Sequence, residues 1–181
     1  MSPDPSATPV DTTPLLAGDI VELHRIAPSD VDALLELRLS SPGAVERWPT
    51  WTREDIEHLL TGVDEMAGWW IEIDGERLGF IQQYAETDPE YRHAGMDIFL
   101  VEAAQGRGAG TDAVRTLARH LVHDLGHHRL IIDPAADNAG AIRCYEKVGF
   151  RPVGIMRQYE RGADGTFHDG LLMDLLAHEL T

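Results

Sequence analysis

Apolar residues recur at helical spacing near the start of the chain, and strand-like runs lie before and after these segments. Val31, Leu34 and Leu35 share one face of a helix that begins after Ser29, and Thr52 is a suitable N-cap for a second helix. The strands predicted around these helices cover residues 19–26, 68–74, 77–84 and 95–101, with a tight turn at Gly75-Glu76. The last of these strands has apolar residues on both faces, which indicates a buried central position.

The second half of the chain contains the clearest helical pattern, which follows a cluster of glycines and ends at Gly126. Its apolar positions are Val114, Leu117, Ala118, Leu121, Val122 and Leu125. Residues 128–133 then predict a buried strand, 138–148 a helix that ends at Gly149, and 150–156 and 166–176 two further strands. This order of elements predicts a mixed α/β fold with one βαβ crossover near its centre.

Length and composition predict one domain over residues 18–181, because two domains in 181 residues would each have a thin core. Residues 1–17 are rich in Pro, Ser and Thr, so we expect a disordered tail there. The start of the chain lacks the pattern of a signal peptide, and no run of about 18 apolar residues occurs. These features predict a soluble, cytoplasmic protein. The single cysteine, Cys144, excludes an internal disulfide and a cysteine-based zinc cluster.

The chain is strongly acidic, with 15 Lys and Arg against 31 Asp and Glu and a formal net charge of −16. Such a charge disfavours nucleic acid and anionic membranes as partners and would concentrate a cationic substrate near the surface. The alternative is a solubility bias spread over the whole surface. His120 and His123, three residues apart on the predicted helix, lack a third ligand in the sequence, so we expect a solvated helix end and no metal site.

The segment from Gln105 to Thr111, called here the glycine loop, lies between a buried strand and the start of the strongest helix. Glycines allow backbone N–H groups to turn inward, and the helix dipole adds partial positive charge, so this loop can hold a pyrophosphate. An ordinary tight connection is the alternative. The spacing matches neither a P-loop nor the Gly-x-Gly-x-x-Gly pattern of dinucleotide-binding folds.

Two motifs together resemble those of the GNAT superfamily of N-acetyltransferases. Gln105-x-x-Gly108-x-Gly110 is similar to its acyl-CoA pyrophosphate loop, and the segment from Asn138 to Phe150 is similar to its second CoA-binding segment. The resemblance spans about residues 20–176 and implies transfer of an acetyl group from acetyl-CoA to an amine, without a metal. It also implies a mixed, mostly antiparallel central sheet with splayed parallel central strands, flanked by helices.

The resemblance further implies roles for individual residues. The pantetheine arm of CoA would add to the central strand as a short pseudo-strand, Asn138 would hydrogen-bond the arm, and Tyr145 would protonate the departing thiolate. A core aromatic on an amphipathic helix is the alternative for Tyr145. The residues implied in acetyl-CoA binding are Ile98, Phe99, Leu100, Val101, Gln105, Gly106, Arg107, Gly108, Ala109, Gly110, Thr111, Asn138, Ala141 and Tyr145.

Three carboxylates are candidates for the acceptor side. Asp97 interrupts an apolar strand, where an unpaired charge is costly unless it faces a cavity or a cation. Asp133 ends the next strand, and the carboxyl ends of strands form the ligand crevice of open α/β sheets. Asp169 lies near the C-terminal strands. The alternatives are turns, formed by Asp133 before Pro134 and by Asp169 with Gly170.

These positions resemble more narrowly the aminoglycoside 6'-N-acetyltransferases, in an outline that runs from Tyr84 to Phe150. That resemblance implies that Asp97 takes the amine proton, that Asp133 and Asp169 hold ammonium groups, and that Trp48 lines a sugar pocket. The chain is shorter after Tyr84 than the best-known members. The acceptor therefore stays open between an aminoglycoside, a polyamine, a protein N-terminus and a siderophore precursor, and a CoA-binding module without turnover is a further alternative. A monomer or a homodimer is expected.

Overall fold

The structure is a computed structural model that describes residues 11–47 and 50–181. Its strands are β1 Leu15–Ala17, β2 Glu22–Arg25, β3 Ala67–Ile73, β4 Glu76–Glu86, β5 His93–Leu100, β6 Arg129–Ile132, β7 Arg151–Arg161 and β8 Phe167–Leu176. Its α-helices are α1 Val31–Leu39, α2 Pro42–Arg47, α3 Arg53–Leu59, α4 Ala109–Arg119 and α5 Ala139–Glu146. No helix in the described ranges is long and apolar enough to span a membrane.

The strands form one sheet in the order β1-β2-β3-β4-β5-β6-β8-β7. Neighbouring strands are antiparallel except β5 and β6, which are parallel and are joined by the crossover through α4. This confirms the predicted mixed, mostly antiparallel fold. The predicted β3–β4 hairpin also forms, but its turn is Asp74-Gly75, one residue before the predicted Gly75-Glu76, and both turn residues have positive φ.

The parallel strands β5 and β6 separate soon after they meet. They pair only at Ala94 with Leu130 and at Gly95 with Ile131, whereas β5 continues to Leu100. A side chain on Gly95 would collide with the ring of Tyr84 on β4, so glycine is required where the two strands begin to separate. The remainder of β5 therefore has one edge that does not pair with β6.

Hydrophobic side chains cover both faces of the sheet. On one face, α4 and α5 pack against a cluster that includes Trp69, and on the other, α1, α2 and α3 pack against a cluster that includes Trp70. Both tryptophans are almost fully buried, because successive residues of β3 point to opposite faces. Trp51 packs on Phe80 with ring centroids 5.5 Å apart, within the second cluster.

Local chemistry explains the helix boundaries. Thr52 caps α3 as predicted, since its hydroxyl accepts from Asp55 N–H and its own N–H donates to the Asp55 carboxylate. The helix α4 continues as a π-helical turn over residues 120–124 and stops at Gly126, where φ is +70°. The short helix α2 is not evident in the sequence, because Pro42 and Gly43 weaken any helical pattern there.

The structure describes residues 11–17 of the predicted tail, and there it differs from the prediction, because these residues contact the rest of the fold. Leu15–Ala17 pair with β2 as an edge strand, and Asp11 is buried. The Asp11 carboxylate lies 3.2 Å from Arg25 Nη1 and 3.1 Å from His120 Nε2. His120 also contacts Asp124 at 2.7 Å, so this histidine belongs to a buried ionic cluster and not to a solvated helix end.

Candidate active site

The separation of β5 from β6 opens a cleft of about 830 Å³. Most of the residues predicted for donor and acceptor binding line it, together with the start of α5, the end of α2 and part of β7. The predicted residues in its lining are Asp97, Ile98, Phe99, Leu100, Gln105, Gly106, Gly108, Gly110, Thr111, Asp133, Asn138, Ala141 and Tyr145.

The glycine loop has the geometry that an anionic group requires. Gly106 and Gly108 have left-handed backbone angles, with φ of +73° and +89°, and α4 starts immediately afterwards at Ala109. The N–H groups of the first turn of a helix have no partners within the helix, and they point towards a ligand at its N-terminus. A Cβ on Gly110 would lie 3.3 Å from Leu100 and 3.5 Å from Cys144, so the loop packs closely on β5 and α5.

Two cations and two side-chain hydrogen bonds complete this part of the cleft. Arg143 and Lys147, one turn apart on and just after α5, supply positive charge to its lining. Gln105 Nε2 donates to Leu100 O at 3.0 Å, and the Thr111 hydroxyl donates to Cys144 Sγ at 3.3 Å. Burial raises the pKa of the Cys144 thiol, as is typical of a packing residue and not of a reactive cysteine.

Backbone groups of all four residues from Ile98 to Val101 were expected to face the cleft, but only two of these residues direct their backbone groups towards it. Val101 N–H donates to Leu78 O at 2.9 Å, on the β4 side, and Val101 lies outside the cleft lining. Successive residues of an antiparallel strand direct their backbone N–H and C=O groups to opposite sides of the strand. The backbone groups of Phe99 therefore also face β4. The backbone groups of Ile98 and Leu100 are therefore the ones that face the gap.

Helix α5 contributes Asn138 and Tyr145. Asn138 Oδ1 accepts from Ala141 N–H at 3.1 Å, so this side chain caps the helix as well as lining the cleft. Tyr145 is only 7% exposed and packs on Phe150 within the core. Burial, followed by the nearby Cys144 and Asp97, raises the pKa of its phenol, so Tyr145 keeps its proton at neutral pH.

Three carboxylates, Asp97, Asp133 and Glu160, form what we call the acidic pocket. Asp97 Oδ2 accepts from Gln82 Nε2 at 2.8 Å. Burial raises the pKa of Asp97, and the charge of Glu160 adds to this effect against the Gln82 hydrogen bond. Burial and the charge of Asp97 raise the pKa of Asp133 to about 6. Carboxylates with raised pKa values accept a proton or bind a cation readily.

A bulge in β7 directs two of its side chains into this pocket. Met156 pairs with Gly170 and Glu160 with His168, so β7 has two more residues than β8 between these points. Gln158, at the centre of the bulge, has φ of +51°, and its N–H donates to Asp169 Oδ1 at 2.8 Å. The Tyr159 hydroxyl is hydrogen-bonded to Asp133, and burial followed by the charge of Asp133 raises the pKa of Tyr159 to about 12.

Several predicted residues lie away from the lining of the cleft. Asp169 is exposed and, with Arg157 and Gln158, lines a separate depression. Arg107 is exposed on the glycine loop, and Ala109 is fully buried in the core. Trp48 lies outside the described residues.

Sequence reasoning missed Arg47, Gln82, Tyr84, Tyr159 and Glu160. A signal for Gln82 and Tyr84 exists in the alternation of β4, where polar residues at every second position face the Asp97 side of the sheet. Burial and the charges of Asp97 and Asp133 raise the pKa of Tyr84. No such signal marks Arg47 or Glu160, which reach the cleft through a short helix and a bulge.

Within residues 11–47 and 50–181, no group of three or more His, Cys, Asp or Glu side chains is placed to bind a metal ion. The cleft thus has two parts: the glycine loop, which is suited to an anion, and the acidic pocket, which is suited to a cation. Tyr145 lines the same cleft, where Cys144 and the charges of Asp97 and Arg47 influence the pKa of its phenol.

The chain belongs to the GNAT acetyltransferase family, because residues 21–151 match the acetyltransferase (GNAT) domain. It is 39% identical over 158 residues to an aminoglycoside N(6')-acetyltransferase type 1 of Klebsiella pneumoniae, across 76% of this chain and 77% of that protein. The protein is therefore an acetyl-CoA-dependent N-acetyltransferase, and acetyl-CoA is its cosubstrate.

Solved structures support the fold. Mycobacterium smegmatis RimJ in complex with CoA-disulfide superposes with a TM-score of 0.78 at 24% identity, covering 94% of this chain and 90% of that one. The aminoglycoside acetyltransferase AAC(6')-Ib in complex with coenzyme A and kanamycin gives a TM-score of 0.69 at 27% identity, covering 87% and 95%.

Proposed function

We propose that this enzyme acetylates a primary amine of a polycationic small molecule, and that the 6'-amine of an aminoglycoside is its acceptor. The observation that carries this proposal is the acidic pocket, in which three carboxylates converge beside Tyr145. Ammonium groups bind such carboxylates through charge-assisted hydrogen bonds of about 1.5 to 3 kcal/mol each. The similarity to the Klebsiella pneumoniae enzyme and to a kanamycin-bound acetyltransferase supports the same acceptor class.

Asp97 is the proposed proton acceptor. Acetyl-CoA supplies an acetyl group on a thioester, whose thiolate needs a proton as it leaves. Asp97 holds the attacking amine and receives its proton at a carboxylate oxygen, for which the raised pKa suits it. Tyr145 Oη donates its proton to the departing sulfur, and Gln82 fixes the orientation of Asp97 through their hydrogen bond. The proton lost by the nitrogen is thus matched by the proton gained by the sulfur.

Asp133 is proposed to bind a second ammonium group of the acceptor, oriented by its hydrogen bond with Tyr159. For Asp169, the geometry supports an indirect role, because its Oδ1 holds the bulge that carries Tyr159 and Glu160. Asp169 would then act as a positioning residue on β8. A binding role for Trp48 in the sugar pocket remains a proposal from sequence alone.

A thiol-release assay with acetyl-CoA tests the acceptor. Kanamycin should be acetylated, whereas an analogue with a hydroxyl group in place of the 6'-amine should release little thiol, and mass spectrometry should find one added acetyl group at the 6' position. A spermidine-like polyamine, a singly charged amine and an N-terminal peptide complete the panel.

The panel separates the remaining alternatives. If the singly charged amine is acetylated as efficiently as kanamycin, the acidic pocket does not recognise a polycation and the proposal is wrong. Preference for the polyamine or the peptide would move the enzyme to those acceptor classes. An absence of turnover with any amine, although acetyl-CoA binds, would indicate a binding module.

A further inference from the structure

A salt bridge spans the cleft at the acidic pocket. Arg47, the last residue of α2, lies with its Nη1 2.7 Å from Oε1 of Glu160 on β7, and the two residues are 113 positions apart in the chain. Both residues line the cleft, with side chains 30% and 31% exposed. The guanidinium of Arg47 therefore already pairs with Glu160, one of the three carboxylates of the acidic pocket.

Arg47 differs from the other cations of the cleft. Arg143 lies on α5 and Lys147 just after it, in the part of the cleft that contains Cys144. The charge of Arg47 acts instead on the Tyr145 phenol, whose pKa it lowers. Among the described residues that line the cleft, Arg47 is the cation that pairs with a carboxylate of the acidic pocket, that of Glu160.

The exposure of the pair indicates how easily it separates. An ion pair open to solvent contributes about 0 to 1 kcal/mol to stability, because hydration of the separated charges offsets most of their attraction. Glu160 also helps to raise the pKa values of Asp97 and Asp133, so an unpaired Glu160 increases the attraction of the pocket for a cation. Arg47 reduces that attraction in the free enzyme.

We propose that Arg47 acts as an internal substitute for an acceptor ammonium group: an acceptor with several ammonium groups displaces it from Glu160, whereas one with a single ammonium group leaves the pair intact. This inference rests on the proposed function. Arg47 is thereby a specificity-determining residue that sets how many charges an acceptor needs before Glu160 contributes to its binding.

Calorimetric titration of kanamycin into the full-length protein, without acetyl-CoA, tests the exchange. Arg47→Gln frees Glu160 and should lower the Kd for kanamycin by about two- to tenfold, since it removes a competing ion pair and a repulsive charge. Arg47→Lys should stay near the parent value. Arg119→Gln removes the same charge from an exposed position at the far end of α4 and should leave Kd within about 1.5-fold.

A double-mutant cycle identifies the route of the effect. In a Glu160→Gln background, Arg47→Gln should tighten binding much less, because only the repulsive charge is then removed and no carboxylate is freed. Equal tightening in both backgrounds, no change in Kd for Arg47→Gln, or weaker binding by that variant would each overturn the exchange. If the parent neither binds nor acetylates any acceptor with several ammonium groups, the proposed function itself is wrong. Binding and acetylation by the parent without the Arg47 effect refute only the exchange.

Discussion

Tyr145 belongs to the hydrophobic core and to the cleft at the same time. Its ring is packed between α5 and the sheet. The pKa of its phenol is raised by burial, Cys144 and Asp97 and lowered by Arg47. A residue so placed has a fixed orientation, which a proton donor needs, and a pKa high enough to keep its proton until a thiolate forms. The two interpretations of Tyr145 from the sequence are therefore compatible.

Tyr145→Phe separates these two roles. The ring keeps its packing, so the melting temperature and the Kd for acetyl-CoA should change little, while kcat should fall by roughly one to three orders of magnitude because the proton donor is lost. Steady-state kinetics with an independent test that chemistry limits the rate provide the measurement. A variant with parental kcat under those conditions would make Tyr145 a core residue only.

Asp133→Asn tests the cost of a carboxylate held in the pocket. Because the pKa of Asp133 in the folded protein, about 6, lies above the ordinary value of 3.8, the native carboxylate lowers stability as pH rises through this interval. Asparagine removes that penalty and can still accept from Tyr159, so the variant should gain about 1 kcal/mol at neutral pH, reduced from the full effect by the partial exposure of the side chain.

Urea unfolding at several pH values measures this difference. The gain of Asp133→Asn over the parent should shrink as pH falls through this interval and disappear well below the ordinary pKa of 3.8, where the parent carboxyl is protonated in both states, while the KM for kanamycin rises at neutral pH. Asp137→Asn, an exposed position four residues away, is the control. A gain that does not depend on pH would show that Asp133 carries no such penalty.

At the scale of elements, the glycine loop and the start of α4 form one unit. Gly108 has φ of +89°, and a Cβ there would lie 3.1 Å from Ile20, so Gly108→Val strains the loop and closes its approach to the helix N-terminus. Acetyl-CoA at a hundredfold excess over its Kd should stabilise the parent by about 2.7 kcal/mol and the variant hardly at all.

Thermal shift with and without acetyl-CoA is the measurement. Gly154→Ala on β7, where a Cβ meets nothing within 4 Å, should keep the full shift. An equal shift in Gly108→Val would exclude the glycine loop from donor binding.

Elements with a strong local pattern were predictable from sequence, and elements defined by distant contacts were not. The period of α4, the Thr52 cap and the β3–β4 hairpin are all formed by neighbouring residues. The strand β1 depends on pairing with β2, and the β7 bulge on a bond from Gln158 to Asp169. For the same reason Asp97 and Asp133 could be found from their strands, whereas Glu160 could not.

At the scale of the whole molecule, Asp11 fastens the N-terminal segment to both β2 and the end of α4, through Arg25 and His120. Burial lowers the pKa of His120, but its hydrogen bonds with Asp11 and Asp124 raise the pKa by more. Burial, the largest single influence, raises the pKa of Asp11, but the hydrogen bonds with His120 and Thr13 and the charge of His120 together outweigh it and lower the pKa to about 2. This cluster therefore stabilises the fold above the ordinary pKa of Asp and below the raised pKa of His120.

Asp11→Asn should follow this window. It should lower the free energy of unfolding by about 2 to 4 kcal/mol near pH 5.5, where both partners are charged, and by less at a pH above the raised pKa of His120, where the imidazole is neutral. Urea unfolding at the two pH values is the measurement, with the exposed Asp19→Asn as control. An equal loss at both values would show that the His120 charge contributes nothing.

The two pairs of residues that join β5 to β6 have a mechanical consequence. Strands β1 to β5 form one half of the sheet and β6, β8 and β7 the other, so few backbone hydrogen bonds connect the two halves beside Gly95, and the hydrophobic core under α4 and α5 joins them. A ligand arm that pairs with the amides of Ile98 and Leu100 would fill the gap between β5 and β6 and add hydrogen bonds there. The amides of β5 that face the gap should then exchange their hydrogens much more slowly once acetyl-CoA is bound.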